Sequence, residues 1–115
     1  MRKKIIHQIE NHFFADLNPG YTLKDVYAIR DEWMEKSKQL GWSLEQYDAE
    51  IHFPIFAGVT TTNPTRFKWV GKFKDFATQG LVLQSFIESG FENKIRLAMN
   101  VHVTEQWYQP ETSYP

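Results

Sequence analysis

The chain contains no cysteine. That removes disulfide frameworks, thiolate metal sites and cysteine nucleophiles, and leaves four histidines and the carboxylates as the available metal ligands. It also lacks an apolar run of the ~18 residues that a membrane-spanning helix needs. Neither charge sign dominates: thirteen Lys and Arg face fourteen Asp and Glu, so the overall basic excess of a duplex nucleic-acid binder is missing and any charge effect is local. No Gly-rich phosphate loop, Gly-x-Ser-x-Gly elbow or His-Glu-x-x-His run occurs, which argues against nucleotide hydrolysis, the common serine hydrolases and zincin proteases. Cofactor-free chemistry leaves little trace in a sequence and is untouched by these absences.

Near the start, Arg2, Lys3 and Lys4 resemble the basic opening of a secretory signal. His7, Gln8, Glu10, Asn11 and His12 then break the apolar stretch such a signal requires, so a cytoplasmic protein with no membrane association is expected. What the chain does have is rings. Nine Phe, five Tyr and four Trp make 16% of its 115 residues, enough for aromatic side chains to supply much of a buried core. This length suits one compact domain, taken as residues 1–108, with 109–115 as an extended or frayed tail.

Periodicity supplies the elements. Pro19, Gly20 and Tyr21 form a turn before Thr22, a helix N-cap with Asp25 in the reciprocal position, and Leu23, Val26, Tyr27, Trp33, Met34 and Leu40 keep to one helical stripe that Gly41 ends. Ile51, Phe53, Ile55, Ala57 and Val59 alternate as a half-buried strand, with Pro54 marking an edge or bulge. Thr61 to Thr65 read as a loop. Phe67, Trp69, Gly71 and Phe73 then alternate with Arg66, Lys68, Val70, Lys72 and Lys74, making a second strand paired to the first as a hairpin. Asp75 caps a further helix with Phe76, Leu83, Phe86 and Ile87 on one face, ending at Ser89 and Gly90, although Gly80 weakens it and Leu81, Val82 and Leu83 also fit a strand. Ile95, Leu97, Met99, Val101 and Val103 predict a final strand.

The first segment decides the fold. Ile5, Ile9 and Phe13 fit a helix or a strand equally. As a helix they give N-terminal helices followed by a curved sheet, the cone of nuclear-transport-factor-like (NTF2-like) proteins. As a strand they give an α+β, ferredoxin-like β-α-β-β-α-β order, with a four-stranded antiparallel sheet and two helices on one face. The second accounts for every segment with short loops and is the expected fold.

With that layout, a strand reaching Asn18, Pro19 and Gly20, Thr22 at the helix start, and Phe67-Lys68-Trp69-Val70-Gly71-Lys72-Phe73 running into Asp75 and Phe76, the chain resembles the dimeric α/β-barrel superfamily. Its members are small proteins related to antibiotic-biosynthesis monooxygenases, muconolactone isomerases and haem-degrading monooxygenases. The resemblance implies a homodimer with sheets face to face. The activities it spans run from cofactor-free oxygenation through isomerisation to no known chemistry, so fold does not deliver function and no catalytic position carries over.

Candidate site residues follow from the less apolar strand faces. His52 and His102 fall there with Phe56, Arg66, Lys68, Lys72, Arg96, Asn100 and Thr104. Histidine is a suitable general base near neutral pH, and a neighbouring Arg can hold a substrate oxygen; the plainer alternative is two polar surface residues. Trp33, Phe56, Trp69, Arg96 and Asn100 are the expected lining of a small-molecule pocket, with core packing as the alternative for the tryptophans. Arg66, Lys68, Lys72 and Lys74 form a basic strip that, with exposed rings, would suit single-stranded nucleic acid or a protein partner, against a simple solvated strand face that deters aggregation. His7 and His12 share no face of a strand or helix, and His102 and Glu105 are expected on opposite strand faces, so no metal site and no cofactor is expected. The leading expectation is a homodimer that binds a small organic molecule and transforms it as a cofactor-independent monooxygenase or isomerase. The alternative is a non-enzymatic binding module, or an interaction protein without a pocket.

Overall fold

The computed structural model describes residues 7–53 and 66–109. The elements run β1 (Ile9–Leu17), α1 (Leu23–Gln39), β2 (Tyr47–His52), β3 (Arg66–Phe73), α2 (Phe76–Glu88), α3 (Phe91–Ala98) and β4 (Met99–Tyr108). The strands form one antiparallel sheet in the order β2-β3-β1-β4, a ferredoxin-like α+β arrangement. Ile9 and Phe13 thus belong to a strand, with Ile5 outside the described residues, and the cone is excluded: β1 lies in the middle of the sheet, paired to β3 on one side and β4 on the other.

Local chemistry fixes α1 as its sequence predicts. Thr22 accepts from the Asp25 amide and Asp25 accepts from the Thr22 amide, so two otherwise orphaned donors at the helix start are satisfied together. Lys36 and Lys38 sit in its last turn, where cations oppose the carbonyl end of the helix dipole. Asp75 caps α2 by accepting from the Thr78 amide at 2.7 Å. That hydrogen bond holds the Asp75 carboxyl below the usual carboxylate range.

Four expectations are corrected. Residues 95–98, expected to be strand, close the helix α3 instead. Phe91, Ile95 and Ala98 are buried at helical spacing, and Gly90 at φ 81° supplies the left-handed turn that lets a second helix start directly after α2. The Ile95 and Leu97 alternation mimicked a strand because so few residues fit either period. The face of α2 is also rotated: Gln79 and Val82 are buried while Phe76 and Ile87 are more than half exposed. Gln79 tolerates burial because its amide donates to Asn11 at 3.0 Å. Third, β2 begins at Tyr47, four residues earlier than Ile51, with Tyr47 and Ala49 facing inward. Fourth, β4 carries an extra residue against β1: Phe14 pairs with Val103 and Ala15 with Val101, leaving His102 as a bulge. The strand pattern expected over Ile55, Ala57 and Val59, with Pro54, Phe56 and the loop at 61–65, lies outside the described residues.

The core sits on one side of the sheet. Val26, Trp33, Val82, Phe91, Ile95 and Ala98 from the three helices cluster with Ile9, Ala15, Tyr47, Ala49, Phe67, Trp69, Phe73 and Met99 from the strands. Val70, fully buried from the other face, is not part of that cluster. Trp33 is its hub, with ring centroids 5.1 Å from Phe86, 5.2 Å from Phe91 and 6.0 Å from Tyr47. No described helix is long and apolar enough to cross a membrane.

Candidate functional site

Between the helices and the sheet lies a cavity of about 670 Å³, within the size range of small-molecule sites. Its aromatic wall is Phe13, Trp33, Tyr47, Trp69, Phe73 and Phe86. Strand alternation explains the sheet contribution, since Phe13, Trp69 and Thr104 share one cross-strand row and Tyr47 and Phe73 another, all on the helix side. Gly71 belongs to the lining because the Phe73 ring folds over it; a Cβ at that position would stand 3.2 Å from two atoms of that ring.

Polar groups in this wall are few. The Trp33 indole N–H donates to the Tyr47 hydroxyl at 2.7 Å. Burial pushes the Tyr47 phenol far above its usual value, more than the Trp33 hydrogen bond can offset, so it is a neutral hydroxyl at any physiological pH. At the other end, Arg96 and Glu92 on α3 pair with each other at 2.6 Å, and Asn100 and Thr104 contribute from β4. No histidine lines the cavity.

The structure therefore brings Trp33, Trp69, Arg96 and Asn100 to one cavity and leaves His52 and His102 on the other face of the sheet. Phe56 lies outside the described residues. His52 is on edge strand β2 and His102 on edge strand β4, three strand spacings apart, or roughly 14 Å. They do not form one site within a protomer. Thr104, expected beside His102, is on the cavity side, because the bulge reverses the alternation between them. The same bulge puts His102 on the face of Glu105, correcting their expected separation. Even so, no described cluster of histidines and carboxylates is arranged to hold a metal ion.

Each open-face histidine instead has a carboxylate partner. His12 meets Glu10 at 2.9 Å, His52 meets Glu50 at 2.7 Å, and His102 meets Asp16. The His102 contact, aided by Arg66 at 3.3 Å, holds the Asp16 carboxyl below the usual carboxylate range. Burial alone would raise Glu50, but hydrogen bonds from His52 and Lys72 outweigh it and hold that carboxyl low as well. The sequence contains a signal for two of these pairs: Glu10 with His12 and Glu50 with His52 are two apart on strands and so share a face.

The basic strip is not an uninterrupted cationic surface. Lys72 is bound to Glu50 at 3.1 Å, Arg66 to Asp16, and Lys68 stands 5.5 Å from the centre of the Phe14 ring, while exposed Lys74 follows the end of β3. Rows across this face set Glu10 and Asp48 beside Lys72, and Glu50 and Glu105 beside Val70 and His12. Among these charges Val103 and Trp107 are 52% and 58% exposed.

No family model matches the chain, and no curated protein matches it. Solved structures do. PA3566 from Pseudomonas aeruginosa aligns at a TM-score of 0.58 with 14% identity, over 95% of this chain and 100% of that one. The hypothetical Arabidopsis thaliana protein At3g17210 aligns at 0.60 with 6% identity, over 97% and 96%. SO0527 from Shewanella oneidensis aligns at 0.50 with 18% identity, over 92% and 95%. The chain is thus similar in fold, over nearly all its length, to these three proteins. At these identities the likeness is one of fold.

Proposed function

We propose that this protein binds a small, mostly apolar organic molecule between its helices and its sheet, and that it works as a homodimer joined through the open sheet face. The cavity of about 670 Å³ with its six aromatic walls is the observation that carries the first part. Exposed Val103 and Trp107, set among charges of both signs that a two-fold axis can bring into register, support the second. The resemblance to cofactor-independent monooxygenases and isomerases extends the proposal to chemistry on the bound molecule without a resident cofactor. His102, beside Asp16, and His52, beside Glu50, lie on the face opposite the cavity, so acid–base work on a molecule bound there falls to other groups.

Calorimetric titration with tetralin, a compact hydrocarbon, tests the cavity. One molecule per chain is expected to bind the native protein, and Leu83→Trp, which places an indole in the lining, is expected to abolish the heat. Unchanged binding by that variant would move the site elsewhere. Sedimentation at high micromolar concentration tests assembly, and a clean monomer there would remove the homodimer. The alternative nucleic-acid surface is the weaker reading, because Arg66 and Lys72 are already neutralised by carboxylates. Salt-sensitive binding of a single-stranded oligonucleotide, lost on charge reversal at Lys68 and Lys72, would restore it.

A further inference from the structure

The cavity lining includes Tyr47, whose hydroxyl has half of its hydrogen bonding complete. The indole N–H of Trp33 is a donor only, so the 2.7 Å contact fixes the Tyr47 oxygen as acceptor and leaves the phenol with its own proton to give. Among the described residues that contact is the one hydrogen bond at the Tyr47 oxygen. The buried Ser37 hydroxyl is committed to the Trp33 carbonyl at 2.8 Å. Tyr47 itself is 4% exposed and stands in the cavity lining.

We propose that Tyr47, oriented by Trp33, is the specificity-determining donor of the cavity, and that it selects ligands carrying a neutral acceptor oxygen, a carbonyl or ether, within an otherwise apolar body. This inference rests on the cavity being the ligand site and adds what the ligand must present there. An anionic carboxylate is excluded at this end by desolvation: the surrounding wall is Phe13, Trp69, Phe73 and Phe86, and the cation of the lining, Arg96, is largely exposed and paired to Glu92. A pure hydrocarbon fits but leaves the phenol proton without a partner, and a buried donor without an acceptor is costly. A neutral carbonyl satisfies the donor without bringing a charge into the wall. Because burial keeps the phenol protonated, the interaction is a hydrogen bond from a neutral hydroxyl and not the attraction of a phenolate for a proton or cation.

Three probes of similar size separate the cases: tetralin, 1-tetralone with one added carbonyl, and 1-naphthoate. Titrated against native protein and Tyr47→Phe, which keeps the ring and removes the donor, 1-tetralone is expected to bind the variant about five- to tenfold more weakly, the scale of one neutral hydrogen bond. Tetralin is expected to bind both within about twofold, and 1-naphthoate more weakly than 1-tetralone to the native protein. Equal effects of the substitution on tetralin and 1-tetralone, or none on either, would overturn the role of Tyr47 while leaving the cavity as a binding site. Tighter binding of 1-naphthoate would overturn the selection of neutral ligands. Failure of native protein to bind either tetralin or 1-tetralone would remove the cavity reading, and this inference with it. Should Tyr47→Phe not fold, infrared spectroscopy of 1-tetralone bound to native protein decides: a carbonyl stretch below its position in hexane is expected, and an unshifted stretch overturns the hydrogen bond.

Discussion

The two faces of this sheet are built from the same strands and have opposite characters. On the helix side, Ile9, Phe67, Trp69 and Phe73 meet Trp33 and Val82 in a largely aromatic layer beside the cavity. On the open side, Glu10, His12, Glu50, His52, Lys72 and Asp16 alternate with Phe14, Val70, Val103 and Trp107. The first face is held by burial and ring packing, which tolerate no charge; the second is held by paired charges, which cost little to expose and contribute little to stability. Stability therefore belongs to one face, the proposed recognition of a second copy to the other, and the proposed ligand cavity uses space left inside the stabilising layer.

Substitutions can break that division in order of effect. Trp33→Ala strikes the hub of the covered face and is expected to lower unfolding free energy in urea by about 3–5 kcal/mol. Charging the open face through Val103→Glu with Trp107→Glu is expected to cost about 2–3 kcal/mol of association, read as a rise in the dimer dissociation constant. The folded chain itself should change by less than about 0.5 kcal/mol, because both residues are exposed. A double variant that lost folding and not association would reverse the assignment of the two faces. Asp75→Ala removes the cap of α2 and is expected to destabilise by about 1 kcal/mol, measured by thermal unfolding.

The smallest expected effect is acid sensitivity of the paired carboxylates. Asp16, Glu50 and Asp75 are all held below their ordinary values of 3.8 for Asp and 4.5 for Glu. The native state therefore binds their protons less readily than the unfolded chain does, and their contribution is present above those ordinary values and lost as pH falls through the lowered ones. Unfolding midpoints in urea should fall as pH drops below about 4, and Asp16→Asn should flatten part of that slope. An identical slope in the variant would show that the contact with His102 and Arg66 does not tie Asp16 to the folded state.

Much of this arrangement is legible in the residues. Thr22 with Asp25, Asp75 before α2 and the alternation through β3 each carry their own local physics, a cap or a period, and each forms where that physics places it. Trp33, Trp69, Arg96 and Asn100 were legible from residue type as one pocket lining, although Arg96 was expected on a strand and stands on the helix α3. Tyr47 was missed because it opens β2 inside a stretch of polar residues, where an inward alternation of Tyr47, Ala49 and Ile51 was the available signal. The bulge at His102 has no such signal. Neither glycine nor proline marks it, and it reverses which face Thr104 and Glu105 occupy relative to His102.

The residues alone carried the caps of α1 and α2, the alternation of β3 and the expected ferredoxin-like order, because caps, turns and hydrophobic periods act over a few residues and are written where they act. The tertiary structure alone decided the rest: that residues 91–98 coil as a helix, that His102 reaches Asp16 across 86 positions, and that the Trp33 indole N–H meets the Tyr47 hydroxyl. Those outcomes depend on which distant surfaces are buried together, and a run of short apolar alternation is compatible with either backbone until that burial is made.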